Sequence, residues 1–208
     1  MKILYQVDIQ NDFMYPKGKL PIPGAKHIIP KLVELQKHAL SYNIPILGSV
    51  DRHFSDDIEL KTFPPHCMNK THGQKIIDDI HLQNTIFISD KIAEMGKFER
   101  LNYYDMIDLV KQADGGKLIF EKQYTNVFTN PHLAYIIEKM SITDVYMCGV
   151  ATDICVKEAA LSFMKRGITT HIIVDAIKGL GESSNALIDV YQHGAKIIKT
   201  TTAKHELE

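Results

Sequence analysis

Cys155 is the residue of this chain that is best placed for nucleophilic chemistry. Residues 145–150 form an apolar, β-branched run that is typical of a buried strand, and an amphipathic helical pattern begins at Asp153. The spacing predicts Cys155 in the first turn of a helix, just beyond the carboxyl end of a core strand. Unpaired N–H groups and the helix dipole favour a thiolate there. Because a lone cysteine is more often a small buried apolar residue, other residues must support the prediction.

Two more polar side chains stand at the ends of predicted strands. Asp8 ends the first strand in YQVDIQNDF, and Lys122 ends the fourth in LIFEKQYTNVF. Taken singly, Asp8 is typical of a residue that caps a turn, and Lys122 of a lysine that extends into solvent. An acid, an ammonium group and a thiol at three strand ends are harder to explain as packing. They predict a catalytic set in which Asp8 takes the proton of the Cys155 thiol and Lys122 stabilises the anionic groups.

This set suits the hydrolysis of an amide. Attack of the sulfur on a carboxamide carbon gives a tetrahedral oxyanion, which backbone N–H groups at the helix start, residues 151–155, would receive. Asp8, by then protonated, would donate its proton to the departing ammonia. Water would then hydrolyse the thioester. We therefore expect a small-molecule amide as the substrate.

A second group of residues suits a divalent metal ion. Asp51 and His53 alternate by two, so an extended segment points both side chains the same way, and His66 follows a loop that contains Pro64-Pro65. One carboxylate and two imidazoles leave open positions for water or a ligand. A surface histidine cluster is the alternative. The other polar or thiol side chains nearby are predicted to be structural or solvated: Asp56, Asp57, Cys67 and His72.

The elements that must position these side chains alternate along the chain. Apolar runs predict strands at 3–9, 44–50, 85–88, 117–121, 144–150, 169–174 and 195–198, and helical patterns cover 30–42, 103–113, 131–140, 153–166 and 182–193. This alternation predicts an α/β fold with three α-β-α layers around a mostly parallel sheet of about six strands. Such folds bind ligands beyond the carboxyl ends of their strands.

Composition excludes several classes of function. The chain has 208 residues, 45% of them hydrophobic, and a net charge of −1, which fits a single domain over 1–208 and gives no sign of a nucleic-acid or membrane partner. Three cysteines are too few for a disulfide scaffold, and no run is long enough to span a bilayer. We therefore expect a cytoplasmic protein. The last two residues, Leu207 and Glu208, are assigned to no element.

Four motifs in order resemble the isochorismatase-like cysteine hydrolases, and among them the nicotinamidases or pyrazinamidases. They are VDIQNDF with Asp8, DRH…FPPHC with the predicted metal ligands, EKQYTNVF with Lys122 and GVATDICV with Cys155. Each motif is weak alone, but the ordered set extends over residues 3–200. The resemblance implies an isochorismatase-like, Rossmann-like domain with an Asp-Lys-Cys triad of these three residues. It also implies a cis peptide bond between Val150 and Ala151, which turns backbone N–H groups toward the oxyanion.

The resemblance also implies a metal ion and a ring-binding pocket. In nicotinamidase-like members a divalent ion, zinc first with iron or manganese as alternatives, holds the pyridine nitrogen and waters rather than activating the nucleophile. By similarity, its ligands here would be Asp51, His53 and His66. Aromatic side chains hold the substrate ring in this family, and the matching positions are Phe13, Phe63 and Phe128. Relatives commonly form dimers or larger assemblies, so we expect a homo-oligomer.

Three departures from the family pattern bear on the substrate. Arg52 and Phe63 stand where relatives usually have Trp, and Gln123-Tyr124 follows Lys122 where Gly is usual. Two alternatives to nicotinamide hydrolysis therefore stay open. One is a related enzyme for another small amide, such as a carbamoyl or ureido compound. The other is a catalytically idle scaffold, which the intact triad residues argue against. Residues 90–102 are predicted to be a solvated connection, with a lid or a partner contact as the alternative.

Overall fold

A seven-stranded parallel sheet forms the centre of the molecule. The computed structural model of the chain describes residues 1–89 and 116–208. The sheet has the order β3-β4-β2-β1-β5-β6-β7, and each neighbouring pair is parallel. The strand order reverses at β1, because β2 lies on one side of it and β5 on the other. The strands are β1 Lys2–Val7, β2 Ile46–Asp51, β3 Thr85–Ile88, β4 Lys117–Lys122, β5 Asp144–Val150, β6 Thr169–Lys178 and β7 Lys196–Ile198.

Helices pack on both faces of this sheet. They are α1 Asn11–Met14, α2 Ile29–Ser41, α3 Pro131–Lys139, α4 Lys157–Met164, α5 Ser184–Gln192 and α6 Thr200–Leu207. Because side chains of a strand alternate between faces, Tyr5 of β1 joins a core with α3, α4 and α5, whereas Leu4 joins a second core with α2 and α6. None of the described helices combines the length and the apolar character needed to cross a bilayer.

The predicted α/β fold with three layers is confirmed. Every predicted strand segment forms a strand, so the sheet has seven strands rather than about six. β6 extends beyond its predicted end at residue 174, because a register shift after Met147 lets Ile177 and Lys178 pair with the end of β5. The helix predicted at 103–113 and the connection predicted at 90–102 lie outside the described residues.

Two helical segments differ from the sequence prediction. The helix predicted from residue 153 begins as a π-helical turn, Thr152–Val156, and becomes α-helical at Lys157. The sequence pattern does not predict α6, because the helix begins with three threonines, which are poor helix formers. α6 forms because tertiary contacts bury Ala203 and Leu207 against the core that contains α2.

Lys117, at the start of β4, is a fully buried lysine that forms no ion pair with a carboxylate of the described part of the chain. Its Nζ donates to Gln6 Oε1 at 2.9 Å, to Gln36 Oε1 at 3.4 Å and to the Ile80 carbonyl at 2.8 Å. All three acceptors are neutral, so burial is not compensated by an opposite charge. Burial lowers the pKa of Lys117 to about 7.

This burial makes the stability of the fold depend on pH. An unfolded lysine titrates near ~10.4, so between about pH 7 and pH 10 the unfolded chain binds more protons at Lys117 than the folded chain does. The free energy of unfolding should therefore rise with pH in this window, by up to about 1.4 kcal/mol per pH unit, relative to Lys117→Met. Urea unfolding of both proteins from pH 6.5 to 9.5 measures the difference. Parallel pH curves for the two proteins would contradict the prediction.

Candidate active site

The carboxyl ends of four adjacent strands meet at one edge of the sheet and carry the predicted site residues. β4 ends at Lys122, β2 ends at Asp51, Asp8 follows β1, and Cys155 follows β5. These strands are neighbours in the sheet, and Asp51 lies directly beside Lys122 in the register of β2 and β4. Parallel α/β sheets bind ligands at this edge, near the point where the strand order reverses.

The side chains converge on the ammonium group of Lys122. Its Nζ forms an ion pair with Asp8 Oδ2 at 3.0 Å, donates to Asp51 Oδ1, and lies 3.5 Å from Cys155 Sγ. An ammonium group has three protons, so these three partners match its donors. Burial disfavours the charged form, but the carboxylates of Asp51 and Asp8 outweigh this effect and raise the pKa of Lys122 well above its usual value. Lys122 therefore stays protonated.

Asp8 is buried in a left-handed backbone conformation. Its φ is 47°, a value that Asp and Asn tolerate better than most residues. Its Oδ1 accepts a hydrogen bond from the buried Ser49 hydroxyl at 2.6 Å, while Oδ2 faces Lys122. Burial raises the pKa of Asp8, and although Lys122 opposes the shift, Asp51 adds to it. Asp8 therefore accepts a proton more readily than an exposed aspartate does.

The sulfur of Cys155 reaches the same cluster from the π-helical turn. The sulfur, one oxygen of Asp8 and one of Asp51 lie within 4.8 Å of one another. Burial is the largest cause that raises the pKa of the thiol well above its usual value; the Lys122 ammonium opposes this effect, and the carboxylates of Asp8 and Asp51 add to it. The sequence pattern predicts a thiolate favoured by a helix end. The structure instead favours a neutral thiol, chiefly because the side chain is buried by elements that local reasoning does not include.

A cavity borders the sulfur of Cys155, which is one of its lining residues. Its lining combines four polar or ionisable side chains with seven apolar residues, and no lysine or arginine is among the described residues that form it. This composition suits a small, largely apolar molecule with a polar group directed at Cys155. The lining residues are Phe13, Leu20, Ile22, Asp51, Glu59, Phe63, His66, Ala151, Ile154, Cys155 and Leu180.

The turn that presents Cys155 begins with a cis peptide bond. This bond joins Val150, the last residue of β5, to Ala151. The Ala151 carbonyl accepts the N–H groups of Ile154 at 3.1 Å and Val156 at 3.0 Å, which closes the turn around Cys155. Since Ala151 and Cys155 both line the cavity, the backbone of this turn borders the space next to the sulfur.

Four buried side chains beside this cluster could share one cation. Asp51, His53, Glu59 and His66 each offer a ligand atom, and these atoms lie within 4.8 Å of one another. Asp51 Oδ2, His53 Nε2 and Glu59 Oε2 are buried and have no hydrogen-bond partner in the described part of the chain. A buried polar atom without a partner is costly, and the four side chains bring their ligand atoms together, so a divalent metal ion fits as their common partner.

Both imidazoles are oriented by a second contact. His53 Nδ1 lies 3.0 Å from Asp57 Oδ2, and His66 Nδ1 lies 2.8 Å from the Pro64 carbonyl. Since these oxygens only accept hydrogen bonds, each Nδ1 carries a proton, and in the neutral ring each Nε2 keeps a lone pair for a metal ion. Asp57 is therefore held against His53, and the prediction that it is a solvated loop residue was wrong.

Glu59 is the member of this set that sequence reasoning missed. It lies on a short 3-10 helix, Ile58–Lys61, and its side chain is 8% exposed. The available signal was three acids within four residues after the DRH motif, in DRHFSDDIEL. The sequence does not distinguish among these acids, because the path of the loop depends on tertiary contacts. Cys67 is buried in the core, as predicted.

The three predicted ring-binding residues separate into two groups. Phe13 and Phe63 line the cavity, and their ring centroids lie 5.3 Å and 6.3 Å from that of His66. Phe128 is absent from the described lining residues. Its ring instead packs 5.0 Å from that of Phe163, with the Arg166 guanidinium 3.8 Å above it.

Arg52, the first departure from the family pattern, is neutralised outside the cavity. Its guanidinium pairs with Glu121 at 2.5 Å and donates to Asn69 Oδ1 at 3.1 Å. Arg52 follows Asp51 in the chain but is not among the described lining residues of the cavity. Its charge is therefore balanced by Glu121 rather than directed at a bound molecule.

Known proteins share both the sequence pattern and the fold. The isochorismatase domain model matches residues 2–102 and 102–202. The nicotinamidase of Schizosaccharomyces pombe is 25% identical over 205 residues, which covers 86% of this chain and 83% of that protein. The nicotinamidase of Saccharomyces cerevisiae is 24% identical over 215 residues, with 90% and 92% covered.

One solved structure extends the comparison to three dimensions. The pyrazinamidase of Pyrococcus horikoshii, in complex with zinc, has a TM-score of 0.74 and 26% identity, and the match covers 95% of this chain and 98% of that one. The family match includes the strand ends that carry Asp8, Lys122 and Cys155. The chain therefore belongs to the isochorismatase domain family.

Proposed function

We propose that this protein is a cysteine amidohydrolase that converts a small carboxamide such as nicotinamide into its acid and ammonia. The observation that carries the proposal is the contact of the Lys122 ammonium with Asp8, Asp51 and the sulfur of Cys155 beside a cavity. The similarity to proteins named as nicotinamidases supports hydrolysis of an amide bond.

In the first step the sulfur of Cys155 attacks the carbonyl carbon of the amide. Asp8 accepts the thiol proton as the carbon–sulfur bond forms, which its raised pKa favours. Lys122 keeps its proton and stabilises the negative charge that moves from the sulfur toward the substrate. Backbone N–H groups of residues 151–155 receive the oxyanion, since this turn borders the cavity next to the sulfur.

In the second step the tetrahedral species collapses and releases ammonia. Asp8 returns its proton to the leaving nitrogen, and the acyl group stays on Cys155 as a thioester. Asp8 then takes a proton from a water molecule that attacks the thioester carbon. The carbon–sulfur bond breaks, the acid leaves with the oxygen of the water, and Cys155 recovers its proton. Asp8 thus acts in turn as base and acid.

The residues that would hold a divalent metal ion are Asp51, His53, Glu59 and His66. A bound ion would supply a Lewis-acidic anchor for a ring nitrogen or for water. The zinc-bound pyrazinamidase supports zinc as the first candidate. Asp51 belongs to this set and also accepts a hydrogen bond from Lys122. It therefore connects the candidate metal site to the group of Lys122, Asp8 and Cys155.

The cavity favours an uncharged aromatic amide over a carbamoyl amino acid. A carbamoyl amino acid carries a carboxylate, and a buried carboxylate needs a cationic partner. No lysine or arginine is among the described residues that line the cavity, and Lys122 already contacts Asp8, Asp51 and Cys155. A divalent ion in the metal set would already be balanced by the carboxylates of Asp51 and Glu59. The apolar lining residues suit a flat ring instead.

An ammonia-release screen tests the proposal directly. The purified protein is incubated with nicotinamide, pyrazinamide, a carbamoyl amino acid and a ureido compound, each with and without a metal chelator. We expect release from the two aromatic amides, and loss of this release with chelator. Release confined to the carbamoyl or ureido compound would instead indicate a related hydrolase that acts on compounds of that kind. No release from any compound would refute it.

Replacement of Cys155 by alanine should abolish turnover. Because Cys155→Ala removes the nucleophile, kcat for nicotinamide should fall by roughly a thousandfold or more. Cys148→Ala is the matched control, since Cys148 is equally buried but lies in the core away from the cavity. It should keep kcat within about threefold of wild type. Normal turnover by Cys155→Ala, measured as ammonia release, would rule out the thioester mechanism.

Zinc binding should depend on the cluster of Asp51, His53, Glu59 and His66. Equilibrium dialysis should give about one zinc ion per chain for the wild type and almost none for His53→Ala. Asp57→Asn keeps all ligands but changes the partner of His53, so it should weaken zinc binding by about tenfold. His72→Ala, on the exposed loop, is the control and should bind like wild type. Equal zinc content in all four proteins would contradict this assignment.

A further inference from the structure

Asp153 is a charged residue of the nucleophile turn whose side chain has no part in the proposed reaction. It is the second residue of the turn Thr152–Val156 and stands two positions before Cys155. Its Oδ1 accepts the N–H of Leu180, and its Oδ2 accepts the N–H of Gly181, both at 2.8 Å. One carboxylate therefore holds two successive amides of another segment. Charge-assisted hydrogen bonds of this kind are among the stronger ones in proteins.

The segment held by Asp153 is the loop between β6 and α5, residues 179–183. A methyl group added at Gly179 would lie 1.8 Å from Ser183 Oγ and 2.8 Å from Asp153 Oδ1. One added at Gly181 would lie 3.4 Å from Asp153 Oδ2. At Gly179 the loop backbone thus approaches the carboxylate more closely than a side chain would allow, whereas the distance at Gly181 is an ordinary van der Waals contact. Its position depends on the contact with Asp153.

Leu180 brings this loop to the cavity. Its side chain lines the cavity together with Ile154 and Cys155, which belong to the same turn as Asp153. Leu180 has a glycine on each side, and its side chain packs, partly buried, against the core that contains Phe13 and Ile22. The hydrogen bonds to Asp153 fix the backbone from which the Leu180 side chain reaches this position. The turn that carries the nucleophile also positions one wall of the cavity.

We propose that Asp153 is a positioning residue that sets substrate specificity by holding Leu180 as a wall against the ring of the bound amide. The proposal rests on the proposed amidohydrolase function and names a determinant of its specificity. The Asp153 side chain touches neither the substrate nor the reacting atoms. When its hold is weakened, Leu180 moves away and the cavity enlarges. A small ring then binds less tightly, and a larger ring is better tolerated.

A double-mutant cycle on the zinc-loaded full chain tests this, with nicotinamide and a ring-methylated nicotinamide as substrates. Asp153→Asn supplies one acceptor oxygen for two N–H groups, and Leu180→Ala removes the wall itself. Each should raise KM for nicotinamide about tenfold, with kcat within about threefold, and should raise the relative kcat/KM for the methylated amide about tenfold. Because both changes act on one wall, the double variant should match Leu180→Ala within about twofold.

Asp189→Asn is the matched control for loss of a carboxylate. Asp189 pairs with Lys157 at 3.0 Å, is about one-third exposed and is not among the described lining residues of the cavity. Its kcat and KM, and the ratio of kcat/KM for the methylated amide to that for nicotinamide, should stay at the wild-type values. Multiplicative effects of Asp153→Asn and Leu180→Ala would overturn the proposal. So would a lower kcat for Asp153→Asn with an unchanged substrate ratio, since that pattern indicates a general disturbance of the nucleophile turn.

Amide hydrogen exchange separates this proposal from the proposed function. If the wild type releases no ammonia from any amide, the proposed function fails. The hydrogen bonds from the loop to Asp153 are then tested on their own, by the rate of hydrogen exchange at the backbone amides of Leu180 and Gly181. Exchange that is about tenfold faster in Asp153→Asn supports the hold, and unchanged exchange overturns it. If Asp153→Asn does not fold, Asp153→Glu enters the same cycle. It keeps both oxygens at a longer reach, so smaller shifts in the same direction are expected.

Discussion

A buried ammonium group governs the arrangement of this site. The Lys122 side chain is 1% exposed, and an unpaired charge at such a position would cost on the order of several kcal/mol. Its three protons therefore need acceptors in defined places, which Asp8, Asp51 and Cys155 provide. Each acceptor follows or ends a different strand, so the register of β4, β2, β1 and β5 must hold for the ammonium to stay satisfied. Fold stability and site geometry depend on the same contacts.

Asp51 links this ammonium to the candidate metal site that it forms with His53, Glu59 and His66. One of its oxygens accepts from Lys122, and the other lies 3.5 Å from His66 Nε2 and 3.8 Å from His53 Nε2. Burial opposes ionisation, but Lys122 and the two imidazoles outweigh it and hold the pKa of Asp51 well below its ordinary range. Since one carboxylate serves both groups, any charge bound at the cluster changes the field at Lys122. Because the Lys122 ammonium contacts both Asp8 and the Cys155 sulfur, that change also alters the electrostatic environment of these two groups.

Sequence patterns predicted the site residues that stand at strand ends, but they missed those that lie on the connections between strands. Short apolar runs and parallel topology are enough to bring Asp8, Lys122 and Cys155 to one edge of the sheet. Glu59 and Leu180 lie on loops whose positions are set by residues distant in sequence, so local patterns give no reason to choose them. The protonation of Cys155 was misjudged for the same reason. Its local turn suggests a thiolate, whereas burial by elements distant in sequence raises the pKa of the thiol, and the carboxylates of Asp8 and Asp51 add to that effect.

The left-handed backbone at Asp8 has a consequence for how this position can evolve. Glutamate would keep a carboxylic acid there, but it is poorly suited to a φ of 47°. Asparagine suits that backbone but has no acid, and glycine has no side chain. No exchange of the residue itself preserves both shape and acidity. Natural variation or protein engineering can therefore adjust the acid strength of this group chiefly by changing the residues around it. Ser49 is one such residue, because its hydroxyl donates a hydrogen bond to the Asp8 carboxylate.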